Sequence, residues 1–150
     1  ARLTAVDVSE FAVECARENA ARNGLSQVVD CVAANVFDLL PQLQKGQYDF
    51  IILDPPAFTK SRQTTQRAMA GYKEINYRAM RLLPRGGYLA TCSCSHFATE
   101  ELFRKMLHAA AHDAGVQLRQ IEARQQSADH PILWGVEETS YLKFYLFQVV

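Results

Sequence analysis

Tyr48-Asp49-Phe50-Ile51-Ile52-Leu53-Asp54-Pro55-Pro56 is the stretch that decides the fold class. From Tyr48 to Asp54 the run is nearly all apolar, the composition expected of a central parallel strand covered on both faces. Pro55 and Pro56 end it abruptly, because proline brings no N–H to a strand ladder and restricts the residue before it. Asp54 is thereby set at the carboxyl end of a strand. Ligands of open α/β sheets lie across those ends, so polar residues placed there are the first functional candidates.

Working outward, Leu3 to Val8 reads as a short buried strand, and Ser9 caps a helix with Phe11, Ala12, Cys15, Ala16 and Ala20 on its apolar face. Asn23-Gly24 stops that helix, a second strand follows at Val28 to Ala33, and a short helical or turn segment runs from Phe37 to Gln44. Beyond the prolines, a loop with Lys60 and Arg62 leads to a helix over Gln66 to Leu83, closed by Gly86-Gly87. A strand from Tyr88 to Cys94 and a helix from Thr99 to Ala114 come next. Two final strands, Val116 to Ala123 and Tyr141 to Val150, suggest a hairpin with a long connection. Strands alternating with helices mean a doubly wound α/β sheet, to which the last two strands add an antiparallel edge.

Composition narrows the function classes. With 150 residues, 49% of them hydrophobic, the chain can bury one sizeable core, and a single domain over 1–150 is the expectation. The 16 Lys plus Arg balance the 16 Asp plus Glu, so no basic stripe announces nucleic acid by itself. Phe50 to Leu53 is far too short to span a bilayer, and the first residues lack a signal-peptide pattern, which makes a cytoplasmic location the default. Cys15, Cys31, Cys92 and Cys94 read as reduced thiols.

Asp7, Asn35, Asp54 and Cys94 all fall at or just beyond strand ends. Asp7 can accept bonds from two ribose hydroxyls, or can serve only as an acid at a helix start. Asn35 can face an adenine amine with Val36 or Phe37 packed on the ring, or can simply bond its own turn. Thr91-Cys92-Ser93-Cys94-Ser95-His96 puts Cys92, Cys94 and His96 on one side if the strand persists. Zinc would need a further ligand pair at short spacing, so no metal is expected. That leaves a buried pair of inert thiols or a nucleophilic thiolate. His130, in Asp129-His130-Pro131, reads as a loop hydrogen-bonder, and Lys60, Arg62 and Arg67 as phosphate contacts or solvated loop charges.

Four groups of residues together carry a resemblance spanning essentially the whole chain: Asp54-Pro55-Pro56 with Phe58 and Lys60; Gly71-Tyr72-Lys73-Glu74-Ile75-Asn76; Gly87 leading to Ser93-Cys94-Ser95; and Asp129-His130-Pro131 with Tyr141-Leu142-Lys143. In their order and spacing the chain resembles the class I methyltransferases of the RlmI type, which use S-adenosylmethionine to make 5-methylcytidine in large-subunit ribosomal RNA. The resemblance implies a Rossmann-like, mostly parallel sheet with an antiparallel C-terminal strand. It also implies Asp7 as the ribose acid, Asn35 (where the family more often has Asp) and Val36 at the adenine, and Asp54 beside cofactor and target base. Cys94 matches the family's nucleophile, with Cys92 as the alternative. The family's glycine-rich cofactor loop would lie upstream of Asp7, so the expectation is an N-terminally truncated catalytic domain, without the first strand and binding the cofactor weakly by itself.

Three competitors remain open at this level. An RNA base N-methyltransferase would also use an acid-Pro-Pro turn but needs no thiol. A nicotinamide-dependent oxidoreductase would share the sheet and the ribose acid. A non-catalytic fragment would form a homodimer through sheet edges.

Overall fold

The computed structural model describes residues 1–58 and 64–150, and the chain forms two compact units, Ala1–Gln42 and Leu43–Val150. In the first unit, β1 (Leu3–Asp7) pairs in parallel with β2 (Val29–Ala33), from Leu3 opposite Val29 to Asp7 opposite Ala33. The connection is α1 (Glu10–Arg22), started by the Ser9 hydroxyl, which accepts the Ala12 N–H at 3.2 Å, and ended by Asn23 and by Gly24 at φ 70°. Val13 and Ala20 are its buried residues, whereas Phe11, expected on the apolar face, is 80% exposed. Residues 11 and 13 point about 200° apart at 100° per residue, and a two-stranded sheet covers only the Val13 stripe. The unit closes with α2 (Val36–Leu39) and a 3₁₀ turn, Leu40–Gln42.

The second unit is a four-stranded sheet in the order β3-β4-β6-β5, with β3 Phe50–Leu53, β4 Tyr88–Ser93, β5 Leu118–Arg124 and β6 Lys143–Val149. β3 and β4 are parallel, and β6 runs antiparallel to both β4 and β5. The last strand is thus inside the sheet, and the outer position belongs to β5, whose register slips between Gln120 and Glu122 as at a bulge. β3, expected to be central, sits at the other end of this sheet with Phe50 and Ile52 exposed. β4 takes the covered position instead, buried from Leu89 through Ser93.

α3 (Thr65–Leu82) and α4 (Glu100–Ala114) pack on each other and supply most of the core. Tyr72, Ile75 and Met80 of α3, Phe103 of α4, Leu89 of β4 and Tyr145 of β6 are all nearly or fully inaccessible. Tyr72 and Phe103 lie edge to face at 5.7 Å between ring centroids, a favourable arrangement of aromatic quadrupoles. Between α3 and β4 the chain turns at Gly86, φ 89°, and a Cβ on Gly87 would come within 3.0 Å of the Pro84 carbonyl oxygen. Glycine at these two positions lets β4 begin directly beside Asp49, whose carbonyl accepts the Tyr88 N–H at 2.9 Å. Among the described residues no helix is long and apolar enough to cross a membrane.

Candidate active site

In the second unit the ends of β3 and β4 determine what can react. The parallel register sets Leu53 level with Thr91, so Asp54 comes level with Cys92 just past the end of β3. Asp54 is exposed, while Leu53 before it is buried. β4 ends at Ser93, one residue before Cys94, so the alternation expected to align Cys92, Cys94 and His96 stops there. The consequence is a difference in environment. Cys92 stays within the strand and is buried, and Cys94, in the turn after it, is partly accessible.

That difference separates the two thiols chemically. Burial pushes the Cys92 thiol up to about 11, and the neighbouring Asp54 carboxylate and Cys94 add to the rise. A thiol so placed is almost wholly protonated near neutral pH, and only the thiolate attacks. The same couplings put Asp54, Cys92 and Cys94 in one electrostatic neighbourhood.

Tyr72, quoted above only as part of a motif, ties this neighbourhood together. Its hydroxyl accepts the Ser93 O–H at 3.1 Å, is also hydrogen-bonded to the Phe58 backbone, and its ring lies 4.6 Å from that of Phe58. One buried side chain from α3 thus holds both the loop after Asp54 and the end of the Cys94 strand. Burial raises the Tyr72 hydroxyl, the bonds from Ser93 and Phe58 counter it, and Cys94 and Asp54 add to the rise. The phenol therefore stays neutral and works as a fixed hydrogen-bonding post.

A second buried polar side chain comes from the far end of the sequence. Lys143, the first residue of β6, lies opposite Ser93 and donates to the carbonyls of Ser95 at 2.6 Å and Tyr141 at 2.8 Å. Strand parity was the available signal, because Lys143 shares the inward face with Tyr145, Phe147 and Val149.

In the first unit, Asp7 is exposed at the end of β1, and its Oδ1 accepts the Ser9 N–H at 2.8 Å. No partner is found for Oδ2 among the described residues. Asn35 caps α2, its Oδ1 accepting the Phe37 N–H at 3.0 Å, with Val36 half-buried and Phe37 exposed beside it. The turn role weighed for Asn35 is therefore present in the structure, and its NH₂ projects from an exposed residue.

The remaining candidates are dispersed. Lys60 and Arg62 lie outside the described residues, and Arg67 is exposed on α3. His130 sits 3.2 Å from the Asp129 carboxylate in an exposed loop. A depression of about 570 Å³ between α4 and β5–β6, lined by Arg104, His108 and Tyr145 among others, includes none of Asp54, Cys92 and Cys94.

An α/β sheet with an acid-Pro-Pro turn, a neighbouring accessible thiol and a separate strand-end acid is the frame of a methyltransferase. Residues 1–117 match the methyltransferase small domain, and the chain belongs to that family. Its named relatives narrow the likeness. Ribosomal RNA large subunit methyltransferase I of Klebsiella pneumoniae (strain 342) is 40% identical over 99% of this chain and 38% of its own length. The protein of the same name from Shewanella denitrificans is 43% identical over 92% of this chain and 36% of its own. The chain thus spans somewhat over a third of these relatives. Among solved structures, a candidate methyltransferase, SMU.776, complexed with SAH, superimposes with a TM-score of 0.82 at 20% identity, covering 99% of this chain and 39% of that one. These names agree with the resemblance carried by the motifs.

Proposed function

We propose that this chain is the catalytic part of an S-adenosylmethionine-dependent methyltransferase that acts on large-subunit ribosomal RNA, at C5 of a cytosine, with Cys94 as nucleophile. The observation that carries the reading is the contrast between buried, protonated Cys92 and accessible Cys94 beside Asp54. A nucleophile must be reachable by its substrate, and of the two thiols Cys94 is the accessible one.

The first unit offers a donor set suited to the nucleoside end of the cofactor. Asp7, with one carboxylate oxygen uncommitted among the described residues, fits the ribose hydroxyls. The Asn35 amide and the apolar surface of Val36 and Phe37 fit an adenine ring. Asp54 is the further acid expected to touch bound cofactor as well as target base. When bound, S-adenosylmethionine supplies a methyl group carried on a sulfonium.

The second unit would activate the acceptor. Cytosine C5 is a poor nucleophile, so the Cys94 thiolate adds to C6 and forms a C–S bond, moving electron density onto C5, the carbon that takes the methyl group. Asp54 holds the N3/N4 edge of the ring and offsets charge that develops there during addition. Removal of the C5 proton by a base then expels the thiolate and restores the aromatic ring. The target base must be unstacked or single-stranded to reach the thiol.

The test uses the full-length protein with labelled S-adenosylmethionine and unmodified ribosomal RNA, followed by nucleoside analysis. Label is expected in 5-methylcytidine. It should fall by at least about 10³-fold in Cys94→Ala, as on loss of a nucleophile, and persist in Cys92→Ala. Label on an exocyclic amine, with Cys94→Ala still active, would replace this reading with N-methylation.

A further inference from the structure

Lys143 is a buried cation held by backbone carbonyls. Its side chain donates to Ser95 O and Tyr141 O at 2.6 and 2.8 Å, and among the described residues no carboxylate lies within ion-pair distance of it. The acid that acts on it is Glu100 at the start of α4, whose carboxylate accepts the Tyr145 hydroxyl at 2.9 Å and stands 3.9 Å from the Arg104 guanidinium. Buried ammonium groups without a counter-ion are costly, and proteins keep them where an anion forms or binds.

The surroundings identify that anion. Lys143 pairs across the ladder with Ser93, and its ammonium bonds the carbonyl of Ser95, so it grips both residues flanking Cys94. Cys94 and, from α4, Glu100 act electrostatically on Lys143, and Cys94 is coupled in turn to Cys92 and to Tyr72 of α3, both of which also feel Asp54. Among the described residues a second cation, Arg104 of α4, stands 3.9 Å from the Glu100 carboxylate, and Lys143 is the cation that bonds the turn carrying Cys94.

We propose that Lys143 is a positioning residue for the reaction assigned to Cys94: its ammonium fixes the turn that carries the thiol and favours the thiolate once it forms. The proposal rests on the reading of Cys94 as nucleophile. Burial pulls the ammonium down to about 8, while Cys94 and Glu100 oppose that fall, so the cation persists near neutral pH and is strengthened by an anion at Cys94. The step involves no transfer from Lys143 itself: the thiol proton leaves to solvent or to a base, and the ammonium keeps its own.

The experiment measures iodoacetamide alkylation of Cys94 against pH in the full-length protein, by mass spectrometry of the Cys94 peptide, alongside methyl transfer. Three variants separate charge from hydrogen bonding: Lys143→Arg keeps the charge, Lys143→Gln keeps a neutral donor, and Lys143→Met keeps neither. Gln and Met are expected to move the alkylation profile up by about one pH unit, the effect of losing one nearby opposite charge, and Arg is expected to hold it. Should Met fail to fold, as a thermal melt would show, Gln carries the test. An alkylation profile unmoved by Gln and Met overturns the proposal. A profile that moves while Cys94→Ala still methylates RNA upholds the charge effect and removes the nucleophile reading instead.

Discussion

The two compact units hold their candidate residues in opposite ways. In Ala1–Gln42 the folded frame is thin: one parallel strand pair, a helix burying Val13 and Ala20, and capping bonds made by Ser9 and Asn35. Asp7 and Asn35 are consequently exposed on short-range supports. In Leu43–Val150 the frame is thick, and Tyr72, Ser93, Ser95 and Lys143 are buried polar groups satisfied by one another and by backbone. Recognition of a soluble nucleoside needs accessible donors and acceptors, whereas tuning a thiol needs groups withdrawn from water, where charges and hydrogen bonds act more strongly.

Core truncation is the largest expected break in this contrast. Phe103→Ala removes a fully buried ring against Tyr72 and Tyr145 and should cost about 3–5 kcal/mol. Val13→Ala in the thin unit should cost only about 1.5 kcal/mol, the worth of two buried carbons. Urea unfolding of both variants checks the ratio, and equal losses would mean that α1 is anchored more firmly than its two buried residues indicate.

Binding gives the next effect. On the role proposed for Asp7 at the ribose, Asp7→Asn removes the charge that would strengthen those hydrogen bonds, and S-adenosylmethionine affinity of the full-length protein should fall about tenfold by calorimetry with the melting temperature little changed. An unchanged affinity would reassign Asp7 to the helix start, where it bonds Ser9.

The thick unit should also show its buried groups as a pH dependence. Lys143 is depressed to about 8 from 10.5, so the folded chain binds fewer protons than the unfolded chain between these values, and this term raises stability as pH increases through that window. Cys92 is raised to about 11 from 9.0, so its term is fully present below pH 9 and is lost as pH rises through 11. Between about pH 8 and 9 the Lys143 term acts alone, and wild type should gain stability relative to Lys143→Met. A flat difference between the two would show that Lys143 is hydrated. The smallest effect belongs to the thin unit again: Ser9→Ala should cost about 1 kcal/mol through the lost cap on α1.

Much of this molecule is written locally. The Ser9 and Asn35 caps, the glycine stops, the helix spans within a residue or two and the arrest of β3 at Asp54 follow from propensity and turn chemistry, which operate over a few neighbours. So does the placement of Asp7, Asn35 and Asp54 at strand ends. Residue pattern alone could not separate Cys92 from Cys94, because both sit between small polar residues, Thr91-Cys92-Ser93 and Ser93-Cys94-Ser95, at the same strand parity. The ranking depends on β4 ending at Ser93, which leaves one thiol in the sheet and the other in a turn. Nor could it show that β6 enters between β4 and β5, leaving β3 at one end of its sheet with Ile52 exposed. That insertion brings Lys143 to Ser95 across 48 residues of chain. Contacts of such range arise from burying whole faces of helices and strands together, and residue spacing along the chain carries no record of which faces will meet.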